Sequence, residues 1–294
     1  MPITRRQALS GFALTAATAA VRPGSARAAA PERAAAVLPT TNVCVLTPQA
    51  EEGPFYVDPK LVRSDVTEGL AGVPVRLLLQ ILDAATCAPL NGARIDIWQA
   101  DALGNYSAFG SPGERPSDAV KSTHFLRGTQ YTDGAGEVRF STIYPGWYHG
   151  RTAHIHVKII IDETCVMNTQ LYFPDALSEF IYTKAGPYLR KESRDTSNAT
   201  DGVIRASGGG HQSFGNIREE ADHYLVSLII AADRNGRPME EHAGGPPPGM
   251  GHPPGPMPAG AGDHPPGPPP FGRPQVRPAD WEQFLIPGAI KHAD

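Results

Sequence analysis

The sequence predicts an all-β sandwich. Three observations carry the prediction: short β-prone runs that are apolar or alternate apolar with polar, Gly- and Pro-rich turns closely spaced between them, and no long amphipathic helix.

Taken in order, the first strand is Val73 to Asp83, whose Pro74-Val75-Arg76-Leu77-Leu78-Leu79-Gln80-Ile81-Leu82 reads as buried. Asp83 to Gly92 supplies a turn, and Ala93-Arg94-Ile95-Asp96-Ile97-Trp98-Gln99-Ala100 alternates like a half-buried strand. Asp101 to Ser107 is a Gly-Asn turn leading to an aromatic residue. Phe125–Thr132 and Glu137–Ser141 flank Asp133-Gly134-Ala135-Gly136, a hairpin signal. Ala153 to Asp162 and Thr169 to Phe173 are further strands, and His223 to Ala231 the last. Between them, 174–215 reads as polar loop with a short helix near Ala176–Ile181.

The ends differ from the middle. Thr4-Arg5-Arg6-Gln7-Ala8-Leu9 is a twin-arginine pattern, followed by a mildly apolar run and the small-residue sites Ala26-Arg27-Ala28 and Ala28-Ala29-Ala30. Residues 1–30 are therefore expected to be a twin-arginine signal peptide, addressing the chain to the periplasm or beyond. Residues 31–46 are expected to form an N-terminal arm, 47–235 the folded domain, and 236–294 a disordered low-complexity tail. Gly and Pro exceed half of 236–278, which cannot bury a core. His242, His252 and His264 are irregularly spaced in it. With a formal charge of −4 nothing suggests a basic nucleic-acid surface, and no apolar run is long enough to span a membrane. Of Cys44, Cys87 and Cys165, an exported chain can pair two; the sequence does not fix which, although a Cys44–Cys87 bond would tie the arm to the sheet.

The chemistry concentrates in Tyr144-Pro145-Gly146-Trp147-Tyr148-His149-Gly150-Arg151-Thr152-Ala153-His154-Ile155-His156-Val157. On a strand, His154 and His156 project to one face, a start for a transition-metal site. A solvated polar pair is the plain alternative. Tyr148 and Tyr106 are candidate oxygen ligands. Phenolate is hard and anionic, so two Tyr with two His suit ferric iron, Fe(3+), better than zinc or copper(I).

At these residues the chain resembles the intradiol ring-cleaving dioxygenases, the catechol and protocatechuate dioxygenase family, and within it the exported single-domain branch. The carriers are Glu52-Gly53-Pro54-Phe55-Tyr56, the run Asp96 to Ser107, Phe125-Leu126-Arg127-Gly128, Tyr144 to Tyr148, Arg151 to His156, and Thr169-Gln170-Leu171-Tyr172-Phe173. The resemblance implies a prealbumin-like β-sandwich, ferric ligands at Tyr106, Tyr148, His154 and His156, a pocket arginine at Arg151 and a pocket glutamine at Gln170. It implies a catechol and O2 as reactants and a cis,cis-muconate-type product. Tyr148 would be the displaceable ligand and proton acceptor, Tyr106 the permanent phenolate. Arg151 would stabilise developing negative charge, and Gln170 would orient oxygen or intermediates. Trp147, Gly53, Pro54, Phe55 and Tyr56 are expected to shape the pocket. The short arm leaves no room for the helical dimerisation region of the catechol-specific branch, so a homodimer remains open. The competing readings are an exported, non-catalytic β-sandwich binding module and a copper or zinc enzyme using only the His pair.

Overall fold

The computed structural model describes residues 44–239, apart from 59, 111 and 113–117. The expected signal peptide, the arm up to residue 43 and the tail from 240 onward lie outside the described residues.

Among the described residues eight strands form two four-stranded sheets. They are β1 (Pro74–Asp83), β2 (Arg94–Trp98), β3 (Arg127–Tyr131), β4 (Glu137–Ile143), β5 (His154–Ile161), β6 (Thr164–Tyr172), β7 (Asn216–Glu219) and β8 (Tyr224–Ala232). The first sheet runs β4-β1-β8-β7 and the second β3-β2-β5-β6. Pairing is antiparallel except between β1 and β8, which run parallel. Among the described residues three short α-helices lie outside the sheets: α1 (Asp118–Lys121), α2 (Asp175–Lys184) and α3 (Gly202–Ala206). The expected sandwich is thus present.

Alternation decides which face of the second sheet carries the chemistry. Ile95 and Ile97 of β2, and Ile155, Val157 and Ile159 of β5, are buried in the core between the sheets. Asp96, Trp98, His154 and His156 therefore take the opposite face. Burying one such aliphatic side chain contributes about 1.5–3 kcal/mol. A one-residue slip in β5 would exchange Ile155, Val157 and Ile159 for two imidazoles and the Lys158 ammonium, so the register is strongly fixed.

Two local expectations change. The hairpin expected across Asp133–Gly136 does not form, because β3 and β4 belong to different sheets. The Asp133 side chain accepts from the backbone N–H groups of Ala135 and Glu137, which closes the turn on itself. The Gly136 carbonyl accepts from Ile81 N–H at 2.8 Å, so the chain leaves along β1 instead of doubling back on β3. The hairpin lies elsewhere. Asp162 and Glu163, at φ 48° and 60°, join β5 directly to β6, and β6 therefore begins at Thr164 instead of Thr169. The short edge strand β7 escaped the sequence pattern.

Cys44 and Cys87 are joined by a disulfide, and Cys165 is a half-buried free thiol. The bond fixes the start of a segment that crosses the domain. Thr47 N–H donates to the Ala231 carbonyl and Ala50 N–H to the Asn168 carbonyl, which leads residues 51–58 over the outer face of the second sheet. That segment is anchored by charge: Lys158 pairs with Glu52, the Tyr56 hydroxyl donates to Asp96 at 2.8 Å, and Arg94 bridges Asp58 and Asp96. Asp96 is fully buried but also accepts from Thr129 at 2.6 Å, so its carboxylate is well satisfied. Among the described residues no helix is long and apolar enough to cross a membrane.

Candidate metal centre

Two loops bring phenols to the His strand. Asp101 organises the first, accepting from the backbone of Leu103 and Asn105. The turn ends at Tyr106, whose backbone exchanges hydrogen bonds with Gly110. The second loop, Pro145 to Arg151, turns back at Gly150 (φ 82°), with Arg151 N–H bonded to the Tyr148 carbonyl. Arg151 thereby returns beside Tyr148. The loops interlock through glycine. A Cβ at Gly146 would lie 2.2 Å from the Asp101 carbonyl oxygen, so a side chain there is excluded.

The four predicted donors meet at one point. From His154 Nε2, the Tyr106 hydroxyl is 3.3 Å away, the Tyr148 hydroxyl 3.3 Å and His156 Nε2 3.2 Å. All four side chains are buried. His154 Nδ1 lies 2.7 Å from the Thr152 carbonyl, which can only accept. The proton therefore sits on Nδ1, and Nε2 presents a lone pair to the cluster. His156 is braced by the Trp98 ring, stacked at 4.6 Å and 10°; its Nδ1 has no hydrogen-bond partner among the described residues. Phe55 stacks on Tyr106 at 4.4 Å and meets Tyr148 edge-on, closing the cluster from the side of the anchored segment.

This arrangement fits a cation. Three polar atoms crowd one lone pair, and a single hydrogen bond satisfies only one of them. Metal–nitrogen bonds of about 2.0–2.1 Å put neighbouring ligand atoms roughly 3 Å apart, close to the spacings found. Among the described residues no three His, Cys, Asp or Glu side chains converge; here phenols complete the set. Burial, and then His154 and Arg151, hold His156 well below its ordinary pKa, and burial and Arg151 push His154 down to about 3. Both imidazoles are thus neutral and able to ligate at physiological pH. Burial, then the neighbouring Tyr148, raises Tyr106 well above the usual phenol range, and burial raises Tyr148 despite the opposing charge of Arg151. Without a cation both phenols keep their protons.

Arg151 lies behind Tyr148. Its Nη1 donates to the Tyr148 hydroxyl at 3.4 Å, Nη2 donates to Gln170 Oε1, and Nε donates to Asp201 at 3.0 Å. Burial opposes its charge, but Tyr148 and Asp201 outweigh that and raise its pKa. Gln170 also accepts from the Tyr172 hydroxyl and donates to the Glu51 carbonyl, so both its amide atoms are held by protein. Of the pocket-shaping set, Phe55 and Tyr56 pack against the phenol cluster. Trp147 instead belongs to the main core, under the guanidinium of Arg190 at 3.6 Å. The reading of the sequence missed Asp201. Its position before Gly202-Val203-Ile204 signals a helix cap, but nothing local signals a partner fifty residues upstream.

Residues 51–183 match the profile of a family described as dioxygenase. In sequence, the chain is 28% identical over 172 residues to chlorocatechol 1,2-dioxygenase of Rhodococcus opacus, covering 50% of this chain and 60% of that protein. It is 32% identical over 148 residues to catechol 1,2-dioxygenase of Acinetobacter baylyi, covering 42% and 45%. The chain thus spans less than two thirds of the length of these curated relatives. In structure it is similar to an intradiol ring-cleavage dioxygenase from Tetranychus urticae, with 34% identity and a TM-score of 0.61, covering 66% of this chain and 97% of that one.

Proposed function

The chain belongs to the intradiol ring-cleaving dioxygenase family, and we propose on that basis that it cleaves a catechol between its two hydroxyl-bearing carbons. Both atoms of O2 enter the product, a cis,cis-muconate-type dicarboxylate. Tyr106, Tyr148, His154 and His156 hold Fe(3+). The observation that carries this reading is the convergence of two buried phenols and a second imidazole on the lone pair of His154 Nε2.

Bound there, the ferric ion acts as a Lewis acid and a template for the catechol. The residues divide the remaining work. Neutral His154 and His156 are permanent ligands, locked by Thr152 and by Trp98. Tyr106, wedged under Phe55, is the fixed phenolate. Tyr148 would be the displaceable one, taking up a proton from a catechol hydroxyl, and Arg151 Nη1 faces its oxygen. The buried guanidinium also stabilises negative charge that develops beside it. Gln170 fixes Arg151 and the segment at Glu51. Phe55 and Tyr56, packed against the phenol cluster, would help to keep water from the reacting ring.

The chain is also expected to be exported by the twin-arginine route, a path suited to a folded protein already carrying its metal. The rival reading, a non-catalytic β-sandwich binding module, predicts a colourless, iron-free protein. The test is elemental analysis followed by oxygen uptake against a catechol panel with product spectra. A burgundy protein that yields muconate supports the proposal. Absence of iron after reconstitution, or a yellow semialdehyde product, would sink it.

A further inference from the structure

Asp201 is fully buried, and its two oxygens face different parts of the molecule. Oδ1 accepts from the backbone N–H of Val203 at 2.8 Å and Ile204 at 3.2 Å, capping α3. Oδ2 accepts from Arg151 Nε at 3.0 Å and from Thr152 N–H at 2.9 Å. A guanidinium is planar, so holding Nε fixes the directions of both Nη groups. Those are the groups that face Tyr148 and Gln170. A buried guanidinium stripped of its carboxylate would be an uncompensated charge, free to turn away from the phenol.

We propose that Asp201 is a positioning residue: it aims the Arg151 guanidinium at the Tyr148 hydroxyl from outside the metal centre, and so sets turnover without touching metal or substrate. The proposal rests on the dioxygenase reading. A carboxylate on a distant loop, coupled to a helix cap, governs the residue facing the displaceable ligand.

Substitution separates the two oxygens. Asp201→Ser keeps an oxygen for the α3 cap but releases Arg151. Asp201→Asn keeps the cap and turns an N–H donor against the Arg151 and Thr152 donors. The experiment measures iron content, the visible tyrosinate-to-iron band, kcat and KM for catechol in both variants, in Arg151→Met and in the double variants. Iron and the band are retained, kcat falls about 10- to 100-fold and KM moves less than about threefold. In the Arg151→Met background the Asp201 substitutions remove less than about threefold more, because the two residues act as one unit. In the metal-free protein the paired substitutions lower the melting temperature by less than the sum of their separate effects. The proposal is overturned by a kcat within threefold of wild type with iron bound, or by an equal loss in the Arg151→Met background. It is also overturned if both Asp201 variants fail to fold while Arg151→Met folds, which would make Asp201 a cap and nothing more. If wild-type protein takes up no iron and consumes no O2, the dioxygenase reading fails; the metal-free melting cycle still reports whether Asp201 and Arg151 are coupled.

Discussion

Gly104 and Trp147 touch so closely that a Cβ on Gly104 would lie 2.3 Å from the Trp147 carbonyl oxygen. The contact joins the loop that delivers Tyr106 to the loop that delivers Tyr148. Gly104 also has φ +89°, which side-chain-bearing residues rarely adopt. Gly104→Ala therefore combines backbone strain with a clash against rigid backbone, a destabilisation of about 3 kcal/mol. Because the strain separates the two phenols, iron occupancy is expected to fall more steeply than the melting temperature alone implies. Elemental analysis of folded protein beside a melting curve checks both.

Tyr106→Phe and Tyr148→Phe each remove one of the oxygens 3.3 Å from His154 Nε2. Both should bind iron more weakly and lower kcat/KM by a factor on the order of 100 or more, since even outer-shell changes at metal sites cost 10- to 100-fold. Each should also alter the visible band. A copper or zinc site built from the His pair alone predicts unchanged metal and colour in both variants, so the spectra of the two proteins decide between the readings.

Residues that share a strand or a turn were legible in the sequence. The His154–Ile155–His156 alternation names the outer face of β5, and Tyr148 and Arg151 follow because one turn joins them. The sandwich itself was legible for the same reason, since alternation is a local property. Relations set by long-range packing were not. The chain's passage from β3 to the other sheet depends on the Gly136 carbonyl meeting Ile81, far away in sequence. Asp201 reaches Arg151 only because the turn that leads into α3 lies against Arg151 and Thr152, just ahead of β5. Trp147, adjacent to a predicted ligand, points into the core, since a turn does not impose the strict alternation of a strand.

The metal-free protein should lose stability in mild acid. An unfolded histidine takes up a proton near pH 6.5. Burial, and then Arg151, keep His154 neutral in the fold down to about pH 3, and His156 is likewise held well below its ordinary value. Between those limits the unfolded state binds more protons, so stability falls as pH falls from about 6.5. Each imidazole contributes a slope of up to about 1.4 kcal/mol per pH unit. Asp201 adds to the loss lower down. Burial would raise its carboxyl, but Arg151 and the Thr152 N–H hold it below its ordinary value of 3.8, so its contribution disappears as pH drops through and below that point. Urea titrations of metal-free protein from pH 7 to 4, repeated with His156→Gln, test this. A wild-type slope no steeper than the variant's would remove His156 as a source.

The Cys44–Cys87 bond closes a loop across 43 positions of sequence. Chain-entropy arguments assign such a crosslink up to about 4 kcal/mol, or roughly 8–16 °C of melting temperature in a domain of this size. The effect should reach the metal centre as well as the fold. The tied segment runs through Thr47 and Ala50 to Phe55, which stacks on Tyr106. In Cys44→Ser/Cys87→Ser the segment is still held by Glu52, Tyr56 and Asp58, so the fold survives while its first residues loosen. The expected result is a lower melting temperature and a KM for catechol raised several-fold, with kcat changed less, because the four donors stay on β5 and its neighbouring loops. Equal melting temperatures for the oxidised protein and the variant would show that the bond contributes nothing to the folded domain.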